Sequence, residues 1–86
     1  MSEQTLQRTC IERWKNDYEM RAYCIDNQRM AVESLAKTNT RSETRTLCAD
    51  RWPSDFEMRV YCEKQQNKAY ESLRSSTGPL ILVPPR

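Results

Sequence analysis

Cys10-Ile-Glu-Arg-Trp-Lys-Asn-Asp-Tyr-Glu-Met-Arg-Ala-Tyr-Cys24 and Cys48-Ala-Asp-Arg-Trp-Pro-Ser-Asp-Phe-Glu-Met-Arg-Val-Tyr-Cys62 are two versions of one string. Extended to Leu35 and Leu73, a shift of 38 residues lays Cys10–Leu35 on Cys48–Leu73 with 14 of 26 positions identical. Self-similarity at a fixed period marks a repeated structural unit. The fold class that follows is all-α: a tandem duplication of a helical hairpin, each copy a short helix, a turn and a long helix. We divide the chain into a single domain over residues 1–76, made of copies 1–38 and 39–76, and a tail over 77–86.

The middle of each string reads as a helix start. Asn16 and Ser54 stand as N-caps, Asp17 and Asp55 follow in the first turn, and Glu19 and Glu57 complete a capping-box pattern. The helices beginning there are predicted to run to about Lys37 and Ser76. Before the first, Leu6, Cys10 and Trp14 recur at the four-residue spacing of one helix face. Thr40 with Glu43 forms another capping-box pattern, opening the short helix of the second copy after the polar link Lys37-Thr38-Asn39.

On a helical wheel, Met20, Tyr23, Cys24, Asn27, Gln28, Ala31, Ser34 and Leu35 fall inside one arc, the predicted buried face. The matching positions Met58, Tyr61, Cys62, Gln65, Gln66, Ala69, Ser72 and Leu73 predict that the two copies bury their long helices alike. Ile25, Val32 and Ala36 lie on a different flank, where the second copy has Glu63, Tyr70 and Arg74. That flank is read as the seam between the copies or as a partner-binding surface.

The four cysteines admit three pairings. Asp17 is the midpoint of Cys10 and Cys24, and Asp55 that of Cys48 and Cys62, so folding each copy there brings its own pair level. Inward-facing Cα atoms of two packed helices meet the separation of about 4.4–6.8 Å that a disulfide needs. Structural disulfides Cys10–Cys24 and Cys48–Cys62 are therefore expected, which implies an oxidising compartment, periplasmic or secreted. The alternative is four reduced core thiols in a cytoplasmic protein, with which the N-terminus agrees, since it reads as no signal peptide.

Composition narrows the functional classes. Apolar residues make up 37% of the 86, charged residues 30%, and the net charge is +2, so the core is thin and no polyanion or membrane surface is called for. There is no His, and the cysteines lack both the closely paired spacing of a zinc site and a Cys-x-x-Cys redox spacing, so no metal, cofactor or catalytic residue is assigned. Asp17 and Glu19, two apart, do not face each other as an acid and base pair would. Ten of the fourteen basic residues are Arg, yet acids interrupt every helix, and a nucleic-acid partner is disfavoured. Trp14 and Trp52, each preceded by Arg, are read as capping the core near the turns, with Arg13 and Arg51 held by Asp17 or Asp55. Arg21 and Arg59, four residues after those acids, read as ordinary helix ion pairs.

The tail departs from all this. Gly78 is placed to end the last helix and Pro79 to prevent its resumption. Leu80, Ile81, Leu82 and Val83 then either pack on the protein's own helices or dock on a partner or a second copy; a disordered end is the third reading. The function expected is a non-enzymatic interaction or structural module that presents helix faces and the apolar tail to a protein partner or to another copy of itself. A small thiol/redox factor is the alternative, and a nucleic-acid-binding helical protein stands behind it.

Overall fold

The computed structural model describes residues 2–75, and they fold into four helices: α1 (Ser2–Arg13), α2 (Tyr18–Lys37), α3 (Ser42–Arg51) and α4 (Phe56–Ser75). No strand occurs among the described residues. The tail, with Leu80, Ile81, Leu82 and Val83, lies outside them. Two hairpin-like pairs result, α1 with α2 and α3 with α4, and α2 packs against α4 to join them. The two expected disulfides are both formed, Cys10–Cys24 and Cys48–Cys62, each with Cα atoms 5.7 Å apart. Cys10 and Cys48 are fully buried, so each bridge is packed between the two helices of its hairpin.

Local chemistry sets the helix starts, with each cap one residue on from where the sequence placed it. Asp17, not Asn16, caps α2: its Oδ1 accepts the Met20 N–H at 3.1 Å. Asp55, not Ser54, does the same for α4, accepting the Met58 N–H at 3.2 Å. Either neighbour has an oxygen suited to a cap. The carboxylates add the favourable field of a negative charge at a helix start. Arg21 and Arg59 do not pair with these acids. Arg59 reaches back across the turn, donating from Nε to the Trp52 carbonyl at 2.8 Å and from a terminal nitrogen to Pro53 at 2.7 Å, while its guanidinium stands 4.7 Å from the Phe56 ring. Arg21 repeats the move with a longer bond of 3.5 Å to the Lys15 carbonyl and a cation–π contact to Tyr18 at 5.2 Å. Each turn is thus closed by an arginine that binds carbonyls no helix satisfies.

The start of α3 also differs from expectation. The capping box of Thr40 and Glu43 does not form; Arg41 occupies the cap position without a side-chain bond. Thr40 is drawn the other way, its hydroxyl accepting from Asn67 Nδ2 at 3.3 Å, and Arg41 lies 3.6 Å over the Tyr70 ring. The link between hairpins is therefore fastened to α4. Arg45 completes the join by donating to the carbonyls of Leu35 and Thr38 at the end of α2, the former at 2.7 Å.

The core is thin and asymmetric. Leu6, Ala31 and Phe56 are buried together, with Ile25, Val32, Leu35 and Val60 half-buried around them. Residues of both copies contribute. α2 buries Cys24, Gln28 and Ala31, as the predicted arc required, but α4 buries Phe56, Cys62 and Glu63, and its Gln65, Ala69, Ser72 and Leu73 are exposed. The expectation that both copies bury their long helices alike is corrected by how those helices are offset. Gln28, eleventh in α2, faces Phe56, first in α4, and Asn67 reaches Thr40 beyond the end of α2. The two helices run in the same direction, staggered by about ten residues, or about 15 Å. The first half of α4 covers the second half of α2, and farther along α4 Asn67 and Tyr70 meet the link residues Thr40 and Arg41. Tyr23 and Tyr61, at the edge of the arc, are 62% and 58% exposed.

Candidate functional site

The strongest constellation of polar groups lies where the hairpins meet. Gln28 projects from the middle of α2 and is 0% exposed. Its two amide atoms are spent on the start of α4: Oε1 accepts the Phe56 N–H at 2.8 Å, and Nε2 donates to Asp55 Oδ1 at 3.0 Å. The Phe56 N–H is one of the groups a helix start leaves without a partner inside the helix. Arg13 donates to Asp55 Oδ2 at 3.1 Å, and Thr9 donates to the Ser54 carbonyl at 2.9 Å. One hairpin thus clasps the turn of the other. The sequence reading assigned Arg13 to its own copy; the structure gives it to Asp55 across the seam, while Arg51 is exposed. Burial pushes the Asp55 carboxyl up, but the bonds from Gln28 and the Met58 N–H, with the Arg13 charge, outweigh that and hold it below the ordinary carboxylate range.

Beside the clasp, α2, α3 and α4 enclose a cleft of about 370 Å³ walled by Val32, Leu35, Ala49 and Phe56. Glu63 and Arg45 face each other across it at 4.0 Å. Glu63 is 3% exposed, and its Oε1 has no hydrogen-bond partner among the described residues, while Arg45 directs a bond from each terminal nitrogen to an α2-end carbonyl. Glu63 stands where the first copy has Ile25, on the flank read from the sequence as the seam between the copies or a partner surface, but no role was assigned to it there. The one available signal was its position on the flank that carries Ile25 and Val32 in the first copy.

The structure separates the candidate residues. Ile25 and Val32 are half-buried against the core cluster, and Ala36 is exposed. The apolar tail lies outside the described residues. Trp14 and Trp52 are half-buried after the last residues of α1 and α3, where each N–H donates at 2.9 Å to the carbonyl of its neighbouring half-cystine, Cys10 or Cys48. All four cysteines are in bridges. Among the described residues, no three of Cys, Asp and Glu gather closely enough to hold a metal ion, and no helix is long and apolar enough to cross a membrane. Large apolar side chains exposed among the described residues are Ile11 on α1, Tyr18, Tyr23 and Met30 on α2, Leu47 on α3, and Tyr61, Tyr70 and Leu73 on α4. No family model, no curated protein and no solved structure matches this chain.

Proposed function

We propose that the protein is a non-enzymatic interaction module: two disulfide-braced hairpins that hold helix faces, together with the apolar tail, for a protein partner. The observation that carries this reading is the set of exposed Tyr18, Tyr23, Met30 and Tyr61 side chains on a frame whose half-cystines are all buried. Tyr and Met are over-represented at protein interfaces, and an aromatic fixed on a braced helix loses little side-chain entropy on binding. The polar constellations at the seam have folding roles. Gln28, Arg13 and Asp55 join the hairpins, and Arg21, Arg59 and Arg45 satisfy carbonyls at turns and helix ends.

Photo-crosslinking tests this. A photoreactive residue replacing Tyr23 or Met30 in cells is expected to capture one recurring protein, identified by mass spectrometry. The same residue replacing exposed Glu33 is the control. Adducts at Tyr23 and Met30 no different from those at Glu33 would sink the reading.

A further inference from the structure

We propose that the cleft between α2, α3 and α4 is a binding site for a phenol, a single aromatic ring whose hydroxyl is held by Glu63 and Arg45. The site is separate from the exposed helix faces described above and does not depend on them. It is built around an acid that the hairpin itself does not need. The matching position of the first copy is Ile25, half-buried against the core cluster, and that hairpin closes its bridge and caps its long helix without a charge there. In the second hairpin a carboxylate takes the position and is 3% exposed, with Oε1 lacking a hydrogen-bond partner among the described residues. A buried polar atom left in this state costs stability unless something else binds it.

Glu63 borders two hollows. One is the cleft of about 370 Å³, and the other is a smaller space of about 120 Å³ between α2 and α4, walled by Ser34, Val60 and Asn67. The side chain therefore has room to turn its oxygens toward the cleft.

The chemistry of the ligand follows from the groups that line the cleft. The Arg45 nitrogen nearest Glu63 Oε1 stands 4.0 Å away, too far for a hydrogen bond. An oxygen seated about 2.8 Å from each closes that gap if it donates to the carboxylate and accepts from the guanidinium. A hydroxyl does both, whereas an ammonium accepts nothing and a carboxylate donates nothing. Arg45 has the donor to spare: each terminal nitrogen bonds one carbonyl, of Leu35 or Thr38, and carries a second N–H. Arg45 and Arg59 outnumber the one acid of the lining, which disfavours a cation. The other walls, Val32, Leu35, Ala49 and Phe56, are apolar, and Phe56 can pack against a second ring. Ligand sites span about 300–1,000 Å³, so a cleft at the small end of that range suits one ring. A phenolic O–H, with a pKa of about 10, is neutral at pH 7 and bonds a carboxylate more strongly than an aliphatic alcohol does. Such a group arrives either as a free molecule or as a tyrosine side chain of another protein.

Amide NMR titration of the oxidised full chain tests this, with p-cresol as the probe and toluene as the same ring without the hydroxyl. p-Cresol is expected to shift the Leu35, Ala49 and Phe56 signals saturably with a Kd of about 1 mM or below, and toluene to bind at least about tenfold more weakly. Glu63→Ile, which installs the residue of the first copy, should bring the two probes within about twofold of each other. The absence of saturable shifts up to about 10 mM p-cresol overturns the proposal, water alone then bridging Glu63 and Arg45. So does toluene binding as tightly as p-cresol, or a preference for p-cresol that survives in Glu63→Ile. Should that variant not fold, the comparison of the two probes on wild type decides. N-acetyl-tyrosinamide separates the two sources: binding at least as tight as that of p-cresol supports a tyrosine on a partner, and weaker binding supports a free phenol.

Discussion

Gln28 carries more of the join between hairpins than any other side chain. Truncation to Ala removes two hydrogen bonds and leaves the Phe56 N–H and part of the Asp55 carboxylate buried without them. Such losses cost about 2–3 kcal/mol. Urea unfolding of Gln28→Ala should show that loss, whereas Gln66→Ala, at the equivalent but half-buried position, should stay within about 0.5 kcal/mol of wild type. Asp55 makes the same join sensitive to acid. Its folded carboxyl titrates below the ordinary carboxylate range, so its stabilisation is complete above that range and lost as pH falls through the lowered value. Melting temperatures measured downward from pH 6 should therefore fall more steeply for wild type than for Asp55→Asn. Glu63 has a different part in stability. A buried carboxylate oxygen without a hydrogen bond is costly, so Glu63→Gln is expected to raise stability by about 1 kcal/mol. A loss of similar size would show that Arg45 compensates the charge fully.

Among the elements, α1 and α3 depend most on the bridges. At 12 and 10 residues they are too short to persist alone in water, and each offers its hairpin one fully buried half-cystine. Each bridge closes a loop of about 15 residues, worth roughly 3 kcal/mol in the chain-entropy model. Intact mass should fall by four hydrogens on oxidation, and reduction should remove much of the helical circular dichroism; full helicity after complete reduction would contradict this account. The helices and bridges were legible because the repeat, the spacing and the midpoint aspartates agree, although the caps read from sequence were not the ones formed. Whether Asn16 or Asp17 caps α2 was not legible, since both are good caps and the choice depends on where the chain turns. Nor was the exposure of Tyr61, Ala69 and Leu73. A helical wheel finds the side facing a partner helix, but it does not tell how far that partner reaches.

For the whole molecule, the relation between hairpins governs what sequence could show. Ile25 and Val32 stood out because the copies differ there, and they do lie against the core cluster that joins the copies. Gln28 stood out only as one member of an arc. Its role depends on the stagger, which no periodicity within a single helix encodes. Glu63 was placed on the seam flank, but its burial was not legible for the same reason: it depends on Arg45 and the cleft being set around it.

The bridges also have a mechanical consequence. Each ties residues 14 apart in sequence at a Cα distance of 5.7 Å. A chain pulled from its two ends cannot pay out the segments between its half-cystines, and each locked segment withholds about 40 Å of extended length. Stretched in an optical trap, the oxidised molecule should reach full extension about 80–90 Å before the reduced one. The residues it would keep coiled under load are the two turns, with Asp17 and Asp55 still at their centres.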